Sequence, residues 1–273
     1  MAARVFALLG DPVEHSLSPR IHAAAFRALG LDARYSAIRC DAGDVPALMR
    51  SLARTGGGGN VTVPHKLVAA SALDTASDAV RATGACNTFL LEHGRLSGDN
   101  TDVVGFERAL RSFVGDPTDM DVLLLGAGGA AAAALHALLG VGVGRVTVHN
   151  RTHARAVDML ARVGALENPR VRLIASLDEV QADPFDVAVN ATSLGLRERD
   201  PLPIEVTGTP MYAAAFDMVY SHDGTSWTRT AMEAGLPAID GREMLLQQAA
   251  AAFELWWQLP APLDAMRAAL RTS

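Results

Sequence analysis

Lys66 stands where acid–base chemistry could be carried out. It ends the run Asn60-Val-Thr62-Val-Pro64-His-Lys66, which follows a strand-like segment. Asn60 and Thr62 would point to the same face of a strand, and Pro64 would open a helix that carries the lysine. An ammonium group near a cleft can act as a general acid. Taken alone, however, this residue is more simply explained as a surface lysine.

Two other polar clusters accompany this run. Ser16 and Ser18 precede a predicted helix and could bind a carboxylate, but an ordinary N-cap with Pro19 at the first helical position would also explain them. The third cluster is Asn87-Thr88 with the run Gly98-Asp-Asn-Thr-Asp102, and its side chains commonly form turns. Asp102 would nevertheless be a natural charge partner for the lysine if the two segments are adjacent.

A glycine-rich turn indicates a second kind of chemistry. The run Asp121-Val-Leu-Leu-Leu125 predicts a buried strand, and it leads through Gly126-Ala-Gly128-Gly-Ala-Ala131 into an Ala/Leu-rich helix. This is the G-x-G-x-x-A form of the dinucleotide-binding fingerprint. Gly126 would allow the tight turn and Gly128 the close approach of a pyrophosphate. The N–H groups at the start of the helix would then bind the phosphates.

The next strand predicts which nucleotide is bound. It ends at Asn150-Arg151-Thr152, and Arg155 follows on the next turn. Between Arg145 and Arg155 there is no carboxylate that could accept a hydrogen bond from a ribose 2′-hydroxyl. A guanidinium group suits a 2′-phosphate instead, so the pattern favours NADP over NAD. The alternative is that both arginines only solvate the start of a helix.

Alternating strand and helix patterns must position these groups. Strands are predicted at Val5–Leu9, Tyr35–Arg39, Gly59–Val63, Phe89–Glu92, Val122–Leu125, Val146–Asn150, Val171–Ile174, Val187–Asn190 and Ala215–Val219. Helices are predicted at Pro19–Leu29, Val45–Arg54, Val103–Val114, Ala130–Leu139, His153–Val163, Ser226–Ala234, Arg242–Gln258 and Leu263–Arg271. This alternation is typical of parallel sheets with helices on their faces.

The dinucleotide unit starts near residue 119, and about a hundred residues with their own strand–helix pattern precede it. The pattern therefore predicts an α/β fold with two domains, of which the second is a Rossmann-type dinucleotide-binding unit. The helices after Asp240 could return to pack on the first domain, which would make that domain discontinuous.

Composition argues against several other classes of protein. Of the 273 residues 49% are hydrophobic and 20% charged, and the net charge of −6 does not suit a nucleic-acid binder. Cys40 and Cys86 show neither a disulfide framework nor metal-ligand spacing, so we expect free thiols, no metal and a cytoplasmic location. Val122–Gly144 is long enough to span a bilayer, but its glycines favour a strand, a turn and a helix. We therefore expect no membrane association.

Taken together, the motifs resemble the shikimate dehydrogenase family in order and spacing over nearly the whole chain. The matching segments are Gly10-Asp-Pro12, His15-Ser-Leu-Ser-Pro19 with His22, Asn60–Lys66, Gly84-Ala-Cys-Asn-Thr88, Gly98–Asp102 with Gly105-Phe106, Gly126–Ala130, Asn150–Thr152, Asn190–Ser193 with Gly195, Asp217 with Tyr220, and Gly241 with Met244-Leu245 and Gln248.

The resemblance implies an α/β fold with two domains and a cleft between them. Residues 105–237 would form the Rossmann-type NADP-binding domain, and residues 1–104 and 238–273 a discontinuous α/β substrate domain.

The resemblance also implies a role for each segment. Ser16 and Ser18 would hold the substrate carboxylate, with Tyr220 nearby. Lys66 and Asp102 would be the catalytic pair. The ring hydroxyls would be held by Asn60, Thr62, Asn87, Asp102 and Gln248. NADP would be bound by Gly126, Ala127, Gly128, Gly129, Ala130, Asn150, Arg151, Thr152, Arg155, Thr192, Met218, Gly241 and Met244.

The implied reaction is the NADP-dependent, reversible reduction of 3-dehydroshikimate to shikimate on the route to chorismate and the aromatic amino acids. Lys66 would donate or accept the proton. A dehydrogenase of quinate or aminoshikimate that uses NAD is one alternative, and a catalytically silent cofactor-binding regulator is another. Retention of Lys66 and Asp102 argues against the regulator. The expected partner is a small-molecule substrate, and the expected assembly is a monomer or homodimer.

Four positions depart from the usual family pattern, and one of them is His222, which stands where a proline usually follows Tyr220 by two residues. Ala132 stands where an arginine often follows the glycine turn, and Leu196 replaces a common methionine. Ala23 follows His22 where asparagine is common. None of these changes removes a proposed catalytic group. The loss of an arginine at 132 would place more of the NADP preference on Arg151 and Arg155.

Overall fold

A computed structural model describes residues 3–180, 185–197, 199–206, 211–221 and 223–271 of the chain. The chain divides into two compact units. The first consists of Met1–Gly105 and Leu245–Ser273, and the second of Phe106–Met244. The divisions fall inside two helices, α5 (Thr101–Val114) and α9 (Arg242–Trp257).

The first unit is built on a mixed sheet of six strands. These are β1 (Arg4–Gly10), β2 (Ala33–Arg39), β3 (Gly58–Val61), β4 (Thr75–Ala76), β5 (Thr88–Glu92) and β6 (Arg95–Asp99). The order across the sheet is β2-β1-β3-β5-β6-β4. Its remaining helices are α1 (Ser18–Ala28), α2 (Val45–Arg54), α3 (Lys66–Ser71), α4 (Asp78–Thr83) and α10 (Leu263–Arg271).

Strand β1 shows why helices cover both faces of this sheet. Phe6 and Leu8 belong to one buried cluster, which includes residues of α1, α9 and α10. Ala7 and Leu9 belong to a second cluster, with residues of α2 and α3. Alternate residues of a strand face opposite sides, so a strand that is apolar at every position is buried on both faces.

The second unit contains a fully parallel sheet. Its strands are β7 (Asp121–Leu125), β8 (Arg145–His149), β9 (Val171–Ile174), β10 (Val187–Asn190), β11 (Ala215–Asp217) and β12 (Ala238–Ile239). Its other helices are α6 (Gly129–Val141), α7 (His153–Arg162), α8 (Ser226–Glu233) and a short 3₁₀ helix at Leu177–Glu179.

The strand order of this second sheet is β12-β11-β10-β7-β8-β9. Read from β9, it is the 3-2-1-4-5-6 order of dinucleotide-binding sheets, with the change of direction between β7 and β10. Nucleotides bind such sheets at the carboxyl ends of the strands, beside that point. The prediction of an α/β fold with a Rossmann-type domain is confirmed.

The first sheet is mixed rather than parallel, because β5 pairs antiparallel with both β3 and β6. Gly98 and Asp99, which the sequence suggested were turn residues, belong to strand β6. His93 and Gly94 connect β5 to β6 with φ of 50° and 77°. Positive φ at both central residues is the geometry of a tight hairpin turn. The short elements β4, α4 and β12 were also not predicted.

Candidate active site

An ion pair between Lys66 Nζ and Asp102 Oδ2 forms the centre of a polar cluster in the first unit. Lys66 is the first residue of α3, and Asp102 lies in the first turn of α5. The two side chains are 16% and 8% exposed, so water screens their attraction only weakly. The structure therefore brings the two proposed catalytic residues together.

Asn87 fixes the orientation of the Asp102 carboxylate. Its Nδ2 donates to Asp102 Oδ1 at 2.9 Å and lies 3.0 Å from Thr101 Oγ1. Its Oδ1 accepts from the Thr101 N–H at 2.7 Å. One carboxylate oxygen of Asp102 thus faces Asn87 while the other faces Lys66. This arrangement sets the direction in which Lys66 is held.

Asn60 is oriented by a residue to which the sequence assigned no role. The Tyr35 hydroxyl donates to Asn60 Oδ1 at 2.8 Å, and Asn60 Nδ2 donates to the Asn87 carbonyl at 3.1 Å. Burial raises the pKa of Tyr35, so its hydroxyl remains a donor. His22 stacks on the Tyr35 ring at 4.5 Å. Asn60 is left with one Nδ2 hydrogen to offer to a ligand.

Gln248 joins the same cluster from α9. Its Oε1 lies 3.4 Å from Asn87 Nδ2, and its Nε2 donates to the Leu245 carbonyl at 2.9 Å. Gly105 on α5 makes this approach possible, since a Cβ there would lie 2.7 Å from Gln248 Cβ. The close helix packing in this part of the first unit therefore requires glycine at 105.

Thr62 directly follows β3, Ser16 lies on the segment before α1, and Ser18 is the first residue of that helix. Among the described residues, none of the three is hydrogen-bonded to Lys66 or Asp102. A Cβ on Gly10 would lie 2.4 Å from Thr62 Cγ2, which places Thr62 against the end of β1. The Ser18 N–H donates to Ser16 Oγ at 3.2 Å. Ser18 is buried and Ser16 half-buried.

Two local expectations were wrong, and the structure also argues against one alternative. Strand β3 ends at Val61, so Thr62 lies beyond it rather than on the same strand face as Asn60. Pro64 does not open a helix, because α3 begins at Lys66 after a turn. The N-cap of α1 is Leu17, which makes no side-chain cap, so the serines are not ordinary capping residues.

The glycine turn of the second unit has the shape that a dinucleotide phosphate requires. Gly126 has a φ of +123°, and a Cβ there would lie 2.7 Å from the Ala191 carbonyl oxygen. Gly128 is the N-cap of α6, and a Cβ there would have no atom within 4 Å. Because no side chain caps α6, its first N–H groups and its partial positive charge are available to an anion.

The strand end beside this turn is basic. Arg151 and Arg155 are exposed, and neither has an acidic partner in the described part of the chain. Asn150 Nδ2 donates to the Thr152 carbonyl at 2.8 Å, which shapes the turn between β8 and α7. The two guanidinium groups are therefore available to a phosphate.

The other proposed cofactor residues follow β10, β11 and β12. Thr192 Oγ1 donates to Asn190 Oδ1 at 2.7 Å. A Cβ on Gly241 would lie 2.3 Å from the Met218 carbonyl oxygen, so these two segments are in contact. Met244 is 7% exposed. Tyr220 is half-buried on the segment after β11, in the second unit.

Three family models match parts of this chain. Residues 8–89 match the family model for the shikimate dehydrogenase substrate binding domain, and residues 108–195 match the model for shikimate/quinate 5-dehydrogenase. Residues 241–271 match the shikimate 5′-dehydrogenase C-terminal domain. A shikimate dehydrogenase (NADP(+)) from Brucella abortus is 42% identical over 94% of this chain and 90% of its own length. The chain belongs to the shikimate dehydrogenase family.

Solved structures agree with this assignment. Shikimate dehydrogenase from Aquifex aeolicus has a TM-score of 0.89 at 31% identity, covering 99% of this chain and 98% of that one. Shikimate 5-dehydrogenase from Thermus thermophilus, solved with NADP(H) and shikimate, has a TM-score of 0.83 at 37% identity, covering 99% of both chains.

Of the four positions expected to depart from the family pattern, the structure describes three, and residue 222 lies outside the described residues. Ala132 is fully buried in the second turn of α6, so it contributes packing and no charge. Leu196 is 66% exposed, on the loop that follows β10. Ala23 lies on α1 and lines a shallow groove with α10.

Over the described ranges, no group of three or more His, Cys, Asp or Glu side chains could hold a metal ion. Over the same ranges, no helix has both the length and the apolar character needed to cross a membrane.

Proposed function

We propose that this protein catalyses the reversible, NADP-dependent oxidation of shikimate to 3-dehydroshikimate. The observation that carries the proposal is the Lys66–Asp102 pair, which is held by Asn87 in a chain of the shikimate dehydrogenase family. When bound, NADP accepts the hydride from the carbinol carbon or returns it. One proton is released for each shikimate oxidised.

Lys66 handles that proton. In the direction of reduction, its ammonium group donates a proton to the oxygen that becomes the hydroxyl, and this oxygen carries negative charge as the hydride arrives. In the direction of oxidation, the neutral amine accepts the hydroxyl proton. Asp102 accepts a hydrogen bond from Lys66 Nζ and keeps it directed at one position.

The remaining polar groups would select the substrate. Asn60 has one free N–H after satisfying its two partners, so it would donate to a ring hydroxyl. Asp102 and Gln248 would bind other hydroxyls, with Thr62 and Asn87 beside them. Ser16, Ser18 and Tyr220 would contact the substrate carboxylate. Residues 1–104 and 238–273 would form the substrate domain.

The residues of the second unit suit NADP. The open space at Gly128 and the uncapped start of α6 would receive the pyrophosphate. Arg151 and Arg155 would bind the 2′-phosphate, and this pair would distinguish NADP from NAD. Because Ala132 supplies no cation, the distinction would rest on these two arginines. Residues 105–237 would form this domain.

The test is to follow the absorbance of the reduced nicotinamide with NADP and NAD separately, each with shikimate and with quinate. The expected result is the highest kcat/KM with NADP and shikimate. Highest turnover with NAD and quinate would establish the alternative dehydrogenase. Absence of turnover with all four pairs would refute the proposed enzyme activity.

Location and assembly are also part of the proposal. Cys40 and Cys86 are both buried and unpaired, as suits a reducing compartment. We therefore expect a cytoplasmic enzyme, either a monomer or a homodimer, with its small-molecule substrate as partner and with no nucleic acid.

A further inference from the structure

Three buried polar side chains occupy the carboxyl ends of adjacent strands in the second sheet, and none has yet been given a function. Asn190 ends β10, Asp217 ends β11, and Asp240 directly follows β12. Asn190 and Asp217 are 0% exposed, and Asp240 is 8% exposed. In this kind of sheet the carboxyl ends face the nucleotide. Buried polar groups at that edge are therefore candidates for holding nucleotide-binding loops.

Asp217 joins three separate segments. Its Oδ1 accepts from Asn190 Nδ2 at 2.8 Å and from the Val219 N–H at 3.0 Å. Its Oδ2 accepts from Thr225 Oγ1 at 2.7 Å. One carboxylate therefore holds the end of β10, the segment that follows β11 and the start of α8.

Asn190 extends this connection to the next loop. Its Oδ1 accepts from the Thr192 N–H at 3.1 Å and from Thr192 Oγ1 at 2.7 Å, and its Nδ2 donates to the Leu194 carbonyl at 3.0 Å. The Met218 N–H donates to the Asn190 carbonyl at 2.9 Å. Thr192 and Met218 are both proposed cofactor contacts, and both depend on this network.

Burial works against the ionised form of the Asp217 carboxylate. Burial raises the pKa of Asp217 to about 6, although its hydrogen bonds to Thr225, Val219 and Asn190 lower it and the nearby Asp240 raises it further. Asp240 is itself bound to Arg242, whose Nε lies 2.9 Å from Asp240 Oδ1. A carboxylate with a raised pKa makes the folded state less stable when it is ionised. The hydrogen bonds that Asp217 accepts from Asn190 and Val219 point to a role in holding the two segments that carry these residues.

We propose that Asp217 is a positioning residue for the cofactor: through Asn190 and Val219 it holds the loops 191–195 and 218–220 in the conformation that binds NADP. The inference rests on the proposed function, because that function supplies the cofactor. Asp217 has no accessible surface and acts only through these loops. Replacing Asp217 should weaken the binding of NADP without changing the intrinsic binding of shikimate.

The test compares Asp217→Asn with Asp186→Asn at pH 7.5. Asp186 is the control, because it is an exposed aspartate at the amino ends of the same strands, where its Oδ2 accepts from the Asp121 N–H at 2.7 Å. For Asp217→Asn we expect the KM for NADP to rise about tenfold, as for loss of one hydrogen bond to a charged group. The KM for shikimate should stay within about twofold and Tm should not fall. The control should change neither KM.

Thr225→Val and Thr225→Ser provide a second pair. Valine removes the hydroxyl that binds Asp217, whereas serine keeps it, so only valine should raise the KM for NADP.

Direct titration with NADPH, followed by its fluorescence, separates the two proposals: binding without shikimate turnover would contradict only the proposed function. An unchanged NADPH affinity in Asp217→Asn would overturn the inference. A lower Tm with equal loss of both substrates would also overturn it. If Asp217→Asn does not fold, an unchanged NADPH affinity in Thr225→Val decides against the inference.

Discussion

Replacing Lys66 tests the proposed chemistry most directly, and the lysine content of the sequence supports this choice of residue. Lys66 is the only lysine among the 24 Lys and Arg residues of the chain. Elsewhere the chain meets its need for positive charge with arginine, which does not release its proton in proteins. An ammonium at 66 alone is consistent with a need to move a proton there. Lys66→Arg keeps the cation and removes the proton carrier, whereas Lys66→Met removes both.

The expected loss follows from the step that each variant lacks. General acid–base catalysis contributes about 10²- to 10⁴-fold, which corresponds to about 3–5 kcal/mol of activation free energy. We expect both variants to lose kcat within this range, with Lys66→Met the slower. The KM for shikimate should stay within about threefold of the wild type, since Asn60 and Gln248 are unchanged.

Stability should respond less than activity. Breaking a fully buried ion pair costs about 3–5 kcal/mol. Lys66 is 16% exposed and Asp102 keeps the hydrogen bond from Asn87, so we expect Lys66→Met to lower the free energy of unfolding by about 2 kcal/mol. Arg50→Met is the control, because it breaks the more exposed pair with Asp74, 3.0 Å long, in the same unit. It should leave kcat unchanged.

Initial rates of NADP reduction and thermal denaturation by circular dichroism measure these effects. If Lys66→Arg keeps kcat within about threefold of the wild type, only positive charge is needed and the proton-transfer role is wrong. If Lys66→Met raises the KM for shikimate while keeping kcat, the lysine binds substrate and does not carry the proton.

The remaining predictions concern the cofactor site and acid stability. Arg151→Ala should raise the KM for NADP at least tenfold more than the KM for NAD, because it removes a hydrogen bond between charged groups. The control is Arg162→Ala at the far end of α7, which should change neither KM. Equal losses of affinity for both cofactors would contradict the 2′-phosphate assignment. Gly128→Ala should fold normally, because its Cβ enters open space. It should bind NADPH poorly, because that space is the one proposed for the pyrophosphate. Gly126→Ala should instead lower Tm, because its φ is +123° and its Cβ would meet the Ala191 carbonyl; calorimetry and NADPH titration distinguish the two. Burial lowers the pKa of His22 to about 3, so the unfolded chain takes up a proton between about pH 6.5 and 3 that the folded chain does not. The free energy of unfolding therefore decreases as the pH is lowered through this range, by up to about 5 kcal/mol. His22→Leu should remove this part of the loss in urea denaturation at pH 7 and pH 4; an unchanged pH dependence would exclude His22 as its source.

Much of the second unit could be predicted from the sequence because buried parallel strands are uninterrupted apolar runs. Val171–Ile174 and Val187–Asn190 were predicted with the bounds they have in the structure. Strand β6 could not be found in this way, since Arg95–Asp99 is mostly polar or glycine. Its Gly98 is required by packing that the local sequence does not show: a Cβ there would lie 2.6 Å from the Leu73 side chain.

The site was predictable where charge complementarity indicated a partner, as for Lys66 and Asp102. Tyr35 was not predictable, because its contact with Asn60 depends on the pairing of two strands with β1. Tyr35 lies opposite Phe6, and Asn60 lies opposite Leu8. Such a register is set by the whole sheet, so no local pattern reveals that a tyrosine orients this amide. Asp217 and Asn190 did carry a signal, since each is a polar residue that ends an apolar strand.

The solitary lysine also makes the ion pair directly observable by nuclear magnetic resonance. Protein grown with ¹⁵Nζ-labelled lysine would give a single side-chain ammonium resonance, because the sequence contains no other lysine. That resonance would need no assignment. It would report the protonation of Lys66 and its contact with Asp102 as shikimate and NADP are added in turn, in the unmodified enzyme and without a reporter group.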